Sequence, residues 1–181
     1  PADGPFLAEA AAAGRLAHLL LQILPEVPVE RRGETARALA EARGANLPAE
    51  RRERICAEAL ALIERPELAA LFAPGSLAEA PLAGEVTLPG GQVRPVIGRI
   101  DRLAATDDEV LIADFKTAAR APKDAAPLPA TTLAQLAVYR RMVGEIYPGR
   151  TVRALAIYTA SLTVLEPSAA ELDAVLANLA G

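Results

Sequence analysis

The sequence predicts an α/β or α+β domain with a mixed central sheet. Its first part is helical in period. Near Pro74-Gly75 the spacing of apolar residues shortens to that of strands. After that, a further helix separates strand-like runs.

Taken in order, residues 1–13 are small and Ala-rich and carry little signal. Gly14 to Leu24 reads as a helix with Leu16, Leu20, Ile23 and Leu24 on apolar faces, stopped by Pro25. Charged helices follow over Gly33–Arg43 and Pro48–Arg65, broken at Gly44-Ala45-Asn46, with proline in the first turn of the second. Their interleaved arginines and glutamates read as solvated faces with helical ion pairs. Leu77–Leu88 reads as a strand or bent pair and Pro89-Gly90-Gly91-Gln92 as a turn. Val96–Leu103 and Val110–Phe115 flank a polar Thr106–Glu109 tip, the pattern of a hairpin. Residues 118–130 are Pro/Ala-rich and read as an extended loop. Thr131–Tyr147 is a helix whose stripe Gln135, Tyr139, Met142, Ile146 turns half to a site and half to the core. Val152–Thr159 is a buried strand, and Ser168 to Glu171 is a capping box opening a last helix to Leu179.

Composition narrows the function. The chain has 181 residues, 52% hydrophobic but only 3% aromatic, so its core is built from Ala, Leu, Val and Ile. A net charge of −4 argues against coating nucleic acid by bulk electrostatics. A single cysteine, Cys56, excludes a disulfide framework, a four-thiolate zinc site and an iron–sulfur cluster held by this chain alone. No G-x-x-x-x-G-K-S/T motif is present, so the chain is not itself an ATP-driven motor. Ser76, Ser161 and Ser168 lie in no nucleophile elbow. Without a signal peptide or a long apolar run, a cytoplasmic protein with no membrane partner is expected.

The stretch Gly98–Thr117 carries the chemistry. On a strand Asp114 and Lys116 share a face while Phe115 points the other way. By itself Asp114/Lys116 fits a plain surface ion pair. Of the 19 Lys plus Arg, however, only Lys116 and Lys123 are lysines, although arginine is the better carboxylate partner. A tight hairpin also brings Asp101 towards Asp114. Two carboxylates and a lysine at a sheet edge suit a hard cation and a hydrolytic water. His18, the only histidine, shares a helical face with Gly14 and Gln22. It reads either as a hydrogen-bonded core residue or as a group beside the space the glycine leaves.

With these pieces in order, from GRLAHLLLQILP through AEAPL, GRIDRL, DFKT and QLAVYR to RALAIYT, the chain resembles the PD-(D/E)XK nuclease superfamily. Within it the resemblance is to the RecB-like nuclease domain at the C-terminus of the AddA helicase–nuclease subunit. The resemblance implies a restriction-endonuclease-like core and a single nuclease domain over 1–181, excised from a larger helicase–nuclease. Residues 14–70 would be its helical part, 75–160 its sheet core with helix 131–147, and 168–180 its last helix. It implies His18, Asp101, Asp114 and the Phe115 carbonyl as metal ligands, with Lys116 catalytic beside Asp101 and Asp114. Gln135 and Tyr139 match its Q-x-x-x-Y motif. Phe115 stands where a tyrosine is expected. Glu79 falls where similar sequences carry an acid, and no chemistry is assigned to it. The implied cofactor is Mg²⁺, with Mn²⁺ admitted by a lone histidine among oxygen ligands. The implied function is hydrolysis of single-stranded DNA ends in double-strand-break repair. Arg120, Lys123, Arg140 and Arg141 are candidate DNA contacts. The partners are the rest of a helicase polypeptide and a second helicase–nuclease subunit. The alternative is a catalytically inactive DNA-binding or scaffolding module of the same fold.

Overall fold

The structure, a computed structural model, describes residues 4–117 and 128–179. Among these, two compact units are distinguished: 4–74 with 115–117 and 157–163, and 75–114 with 128–156 and 164–179.

The first unit is helical. Helix α1 (Gly4–Ile23) begins well before the expected Gly14, because the preceding alanines are the strongest helix formers and carry it through the glycine. Helices α2 (Val29–Arg43) and α3 (Ala49–Ile63) each follow a proline, Pro28 or Pro48, whose fixed φ suits the residue before a helix. An arginine ties each start to the preceding loop. Arg32 Nε donates to the Val27 carbonyl at 3.0 Å, and Arg52 Nη1 to that of Leu47 at 2.7 Å. Two 3₁₀ segments, Leu24–Glu26 and Pro66–Phe72, complete this part. Leu16, Leu20, Leu21, Leu24, Leu62 and Leu71 form its buried core. Cys56 is an inert buried thiol: it donates to the Ala36 carbonyl, and burial raises its pKa. By length and composition alone Leu7–Glu26 could cross a bilayer, although Glu9, Arg15 and His18 interrupt its apolar run. Its leucines 16, 20, 21 and 24 are instead buried in this unit.

The second unit carries most of a five-stranded sheet of order β1-β2-β3-β4-β5, with the last residues of β3 and β4 and the first of β5 assigned to the first. The strands are β1 (Leu77–Thr87), β2 (Val93–Ala105), β3 (Glu109–Lys116), β4 (Thr151–Tyr158) and β5 (Thr163–Leu165). β1 and β2 pair antiparallel around the turn at Gly90-Gly91, both with positive φ, closed by Leu88 N–H to the Gln92 carbonyl at 2.8 Å. β2 and β3 pair antiparallel around Thr106, whose hydroxyl accepts from Glu109 N–H at 3.1 Å. Helix α4 (Ala130–Ile146) then crosses to β4. Thr151 N–H donates to the Asp108 carbonyl at 3.0 Å, so β3 and β4 start at the same end and run parallel. Helix α5 (Ala169–Asn178) opens with the expected capping box of Ser168 and Glu171. This mixed sheet flanked by helices has the restriction-endonuclease-like α/β arrangement. One apolar expectation fails: Ile146, at the end of the α4 stripe, is 59% exposed, while Met142 one turn earlier is buried.

Candidate active site

Counting the register across the second unit brings the acids together. β1 and β2 pair Ala78 with Arg102 and Ala80 with Ile100, so Glu79 is level with Asp101. β2 and β3 pair Arg102 with Ala113, and one residue further sets Asp101 level with Asp114. Glu79, Asp101 and Asp114 thus form a row across three neighbouring strands. Such strands lie about 4.8 Å apart, and residues directly opposite share a face.

Glu79 is skipped from the ladder and has φ +53°, a left-handed conformation that costs a non-glycine residue about 1–3 kcal/mol. It and Asp101 each offer a carboxylate oxygen within 4.8 Å of the other. Asp114, level with Asp101 on β3, is a buried side chain. Lys116 ends β3, two residues on and half-buried.

Glu79, to which the sequence reading assigned no chemistry, is placed in the row together with Arg99, which that reading left without a role. Arg99 Nε bridges Glu79 Oε2 at 2.6 Å, and the arginine side chain stays 65% exposed while that of Glu79 is 19% exposed. The Arg99 backbone N–H donates to the Tyr139 hydroxyl at 3.2 Å. Gly98 makes room for that contact, since a methyl group there would lie 2.3 Å from the same hydroxyl. Tyr139 is therefore brought to β2 beside the acid row. Gln135, one turn earlier on α4, is half-buried. The signal for Glu79 was present in the sequence: counting outward from the 89–92 turn puts residue 79 opposite residue 101.

In the first unit His18 Nε2 donates to the Phe115 carbonyl at 3.2 Å. The Phe115 ring lies edge-on to the imidazole at 5.8 Å between centroids and stacks on Phe72 at 6.5 Å. Phenylalanine in place of the expected tyrosine is thus held by ring packing. The space expected beside Gly14 is taken by Thr117, whose Oγ1 would be 2.8 Å from a methyl group there.

The expected DNA contacts have different fates. Arg140 is engaged by Asp173 at 2.7 Å and by the Val152 carbonyl at 3.3 Å. Arg141 pairs with Glu145 one turn on, at 3.0 Å. Arg120 and Lys123 lie outside the described residues.

The carboxylates fit a hard divalent cation, two facing each other and a third level with them, and Lys116 follows the third on the same strand. A mixed α/β sheet bearing such a row defines a domain of the restriction-endonuclease-like class. The comparison of families agrees: residues 3–177 match the PD-(D/E)XK nuclease superfamily, and the chain belongs to it. Nuclease chemistry and a divalent metal are properties of that superfamily. No curated protein matches the chain. A solved structure titled "Crystal structure of SSO0001" is similar at 18% identity and a TM-score of 0.38, over 68% of this chain. The chain spans 62% of the length of that structure.

Proposed function

We infer that the chain is a Mg²⁺-dependent deoxyribonuclease acting on single-stranded ends. The observation that carries the reading is the row Glu79, Asp101, Asp114 with Lys116 two residues beyond the last acid. Asp101, Asp114 and Glu79 would hold the ion, with His18 and the Phe115 carbonyl as the further ligands the resemblance implies. A bound divalent ion supplies positive charge at the scissile phosphate and acidifies a water. Lys116 orients the attacking water and offsets charge building on the phosphoryl oxygens. Tyr139, pinned to the Arg99 backbone, and Gln135 one turn away position the strand end. Mn²⁺ is a suitable substitute where a histidine joins oxygen ligands.

The order of motifs from the first helix to the last strand supports a place at the C-terminus of an AddA-like helicase subunit. There it would work beside a second subunit in cytoplasmic double-strand-break repair. A net charge of −4 and the ion pairs on Arg140 and Arg141 favour a motor that feeds DNA over tight binding by this chain alone.

The test is cleavage of labelled single-stranded, blunt duplex and closed circular DNA with and without Mg²⁺, alongside Asp101→Asn, Asp114→Asn and Lys116→Ala. Metal-dependent cutting of single strands that each variant abolishes at unchanged melting temperature is expected. Full activity in EDTA, or in Lys116→Ala, would overturn the reading. Metal binding without cleavage on any substrate would favour the inactive DNA-binding module.

A further inference from the structure

Arg99 lies inside the GRIDRL run but has no role assigned to it there, and it touches the acid row directly. Its guanidinium bridges Glu79 at 2.6 Å, and that carboxylate faces Asp101 within 4.8 Å. Two carboxylates so close repel each other, and the arginine offsets that repulsion. Its backbone is fixed by Tyr139, whereas its side chain is 65% exposed. The backbone is tied to α4, while the guanidinium, paired with Glu79, stays open to solvent.

We propose that Arg99 is an exchangeable counter-ion of the metal site, a positioning residue that changes partner as the site fills. Before the ion binds, Arg99 neutralises Glu79. When Glu79 turns to the ion, the guanidinium is released and takes a phosphate of the single strand entering the site. The ion pair is thus given up on metal binding and replaced by a substrate contact, which orders the two events: metal first, strand second. A guanidinium suits this role because it stays charged and forms paired hydrogen bonds to carboxylate and phosphate alike. The left-handed φ of Glu79 fits the same account, since it takes that residue out of the β1–β2 ladder and into the row of acids.

The proposal rests on the metal-dependent reading above, and its test separates the two. Mn²⁺ binding to the metal-free chain is measured by calorimetry for the wild type, Asp101→Asn, Arg99→Gln, Glu79→Gln and the Arg99→Gln/Glu79→Gln pair. Arg99→Gln should bind Mn²⁺ about 2–5-fold more tightly, the range that giving up an exposed ion pair is worth. In the Glu79→Gln background the same change should have no effect. Single-strand binding is then followed against salt in a Lys116→Ala background. With Mn²⁺ present, Arg99→Gln should lower the slope of log K against log salt by about 0.7, one phosphate contact, and without Mn²⁺ it should leave the slope unchanged. Arg99→Lys should restore most of the slope. Wild-type Mn²⁺ binding with unchanged or weakened affinity in Arg99→Gln would overturn the exchange alone. No Mn²⁺ binding by the wild type, or binding indifferent to Asp101→Asn, would overturn the metal reading and the exchange with it.

Discussion

Gly98→Ala tests whether the helix carrying Tyr139 is held against β2 as described. The added methyl group would lie 2.3 Å from the Tyr139 hydroxyl and 2.9 Å from both Cε1 and Cζ of the ring. A tyrosine ring does not bend, so it must retreat by roughly 1 Å to reach ordinary van der Waals contact, drawing α4 or β2 with it. Overpacking of this kind costs about 1–3 kcal/mol. Loss of the 3.2 Å bond from Arg99 N–H to the hydroxyl adds about 0.5–1.5 kcal/mol. Replacing glycine in a strand returns about 0.5–1 kcal/mol. The net loss centres on about 2 kcal/mol, a fall in Tm of about 4–8 °C for a chain of this size. Calorimetry of Gly98→Ala, Tyr139→Leu and the double variant reads this out. In the Tyr139→Leu background the methyl group should cost little, because the ring it meets is gone. A Gly98→Ala protein melting within a degree of wild type would refute the argument. So would a cost that persists in full without the tyrosine ring.

Three other outcomes are expected. Glu79→Gly should melt about 1–3 °C above Glu79→Ala, because glycine accepts φ +53° freely and alanine does not; the reverse order would mean that residue 79 is not left-handed. Arg153 holds Glu166 by two 2.8 Å bonds and lowers its carboxyl pKa, so the stability this pair contributes is present above the usual glutamate range and is lost as pH falls through the lowered value. Both side chains are more than a third exposed, so Glu166→Gln should cost less than about 1 kcal/mol at pH 7 and flatten the acid limb of a Tm-against-pH curve; parallel curves would refute the linkage. Gly14→Ala should be neutral or slightly stabilising in melting experiments, because the obstructing Thr117 hydroxyl can rotate away and alanine favours the helix; a fall of several degrees would show that Thr117 is locked.

The features legible in the sequence were those set by neighbouring residues. Proline 48 marked a helix start, the Ser168–Glu171 box opened α5, and alternation through GRID and DFK set Asp101, Asp114 and Lys116 on strands that pair as a hairpin, whereas Pro28 starts α2 four residues before the expected Gly33. Each of these rests on φ restriction, a local hydrogen bond or the two-residue period of a strand. The neighbourhood of the site was decided by residues distant in the chain. Glu79 reaches Asp101 through the β1–β2 register, and nothing beside it announces a positive φ. Gly98 reads as a common strand glycine until Tyr139, 41 residues on, occupies the space its missing side chain leaves. Arg99 and Arg140 look alike as exposed cations in the sequence. In the fold one meets the acid row through Glu79 and the other is engaged by Asp173. Side-chain period determines which face a residue presents, whereas its partner on that face depends on strand order, register and helix placement, which come from packing of the chain as a whole.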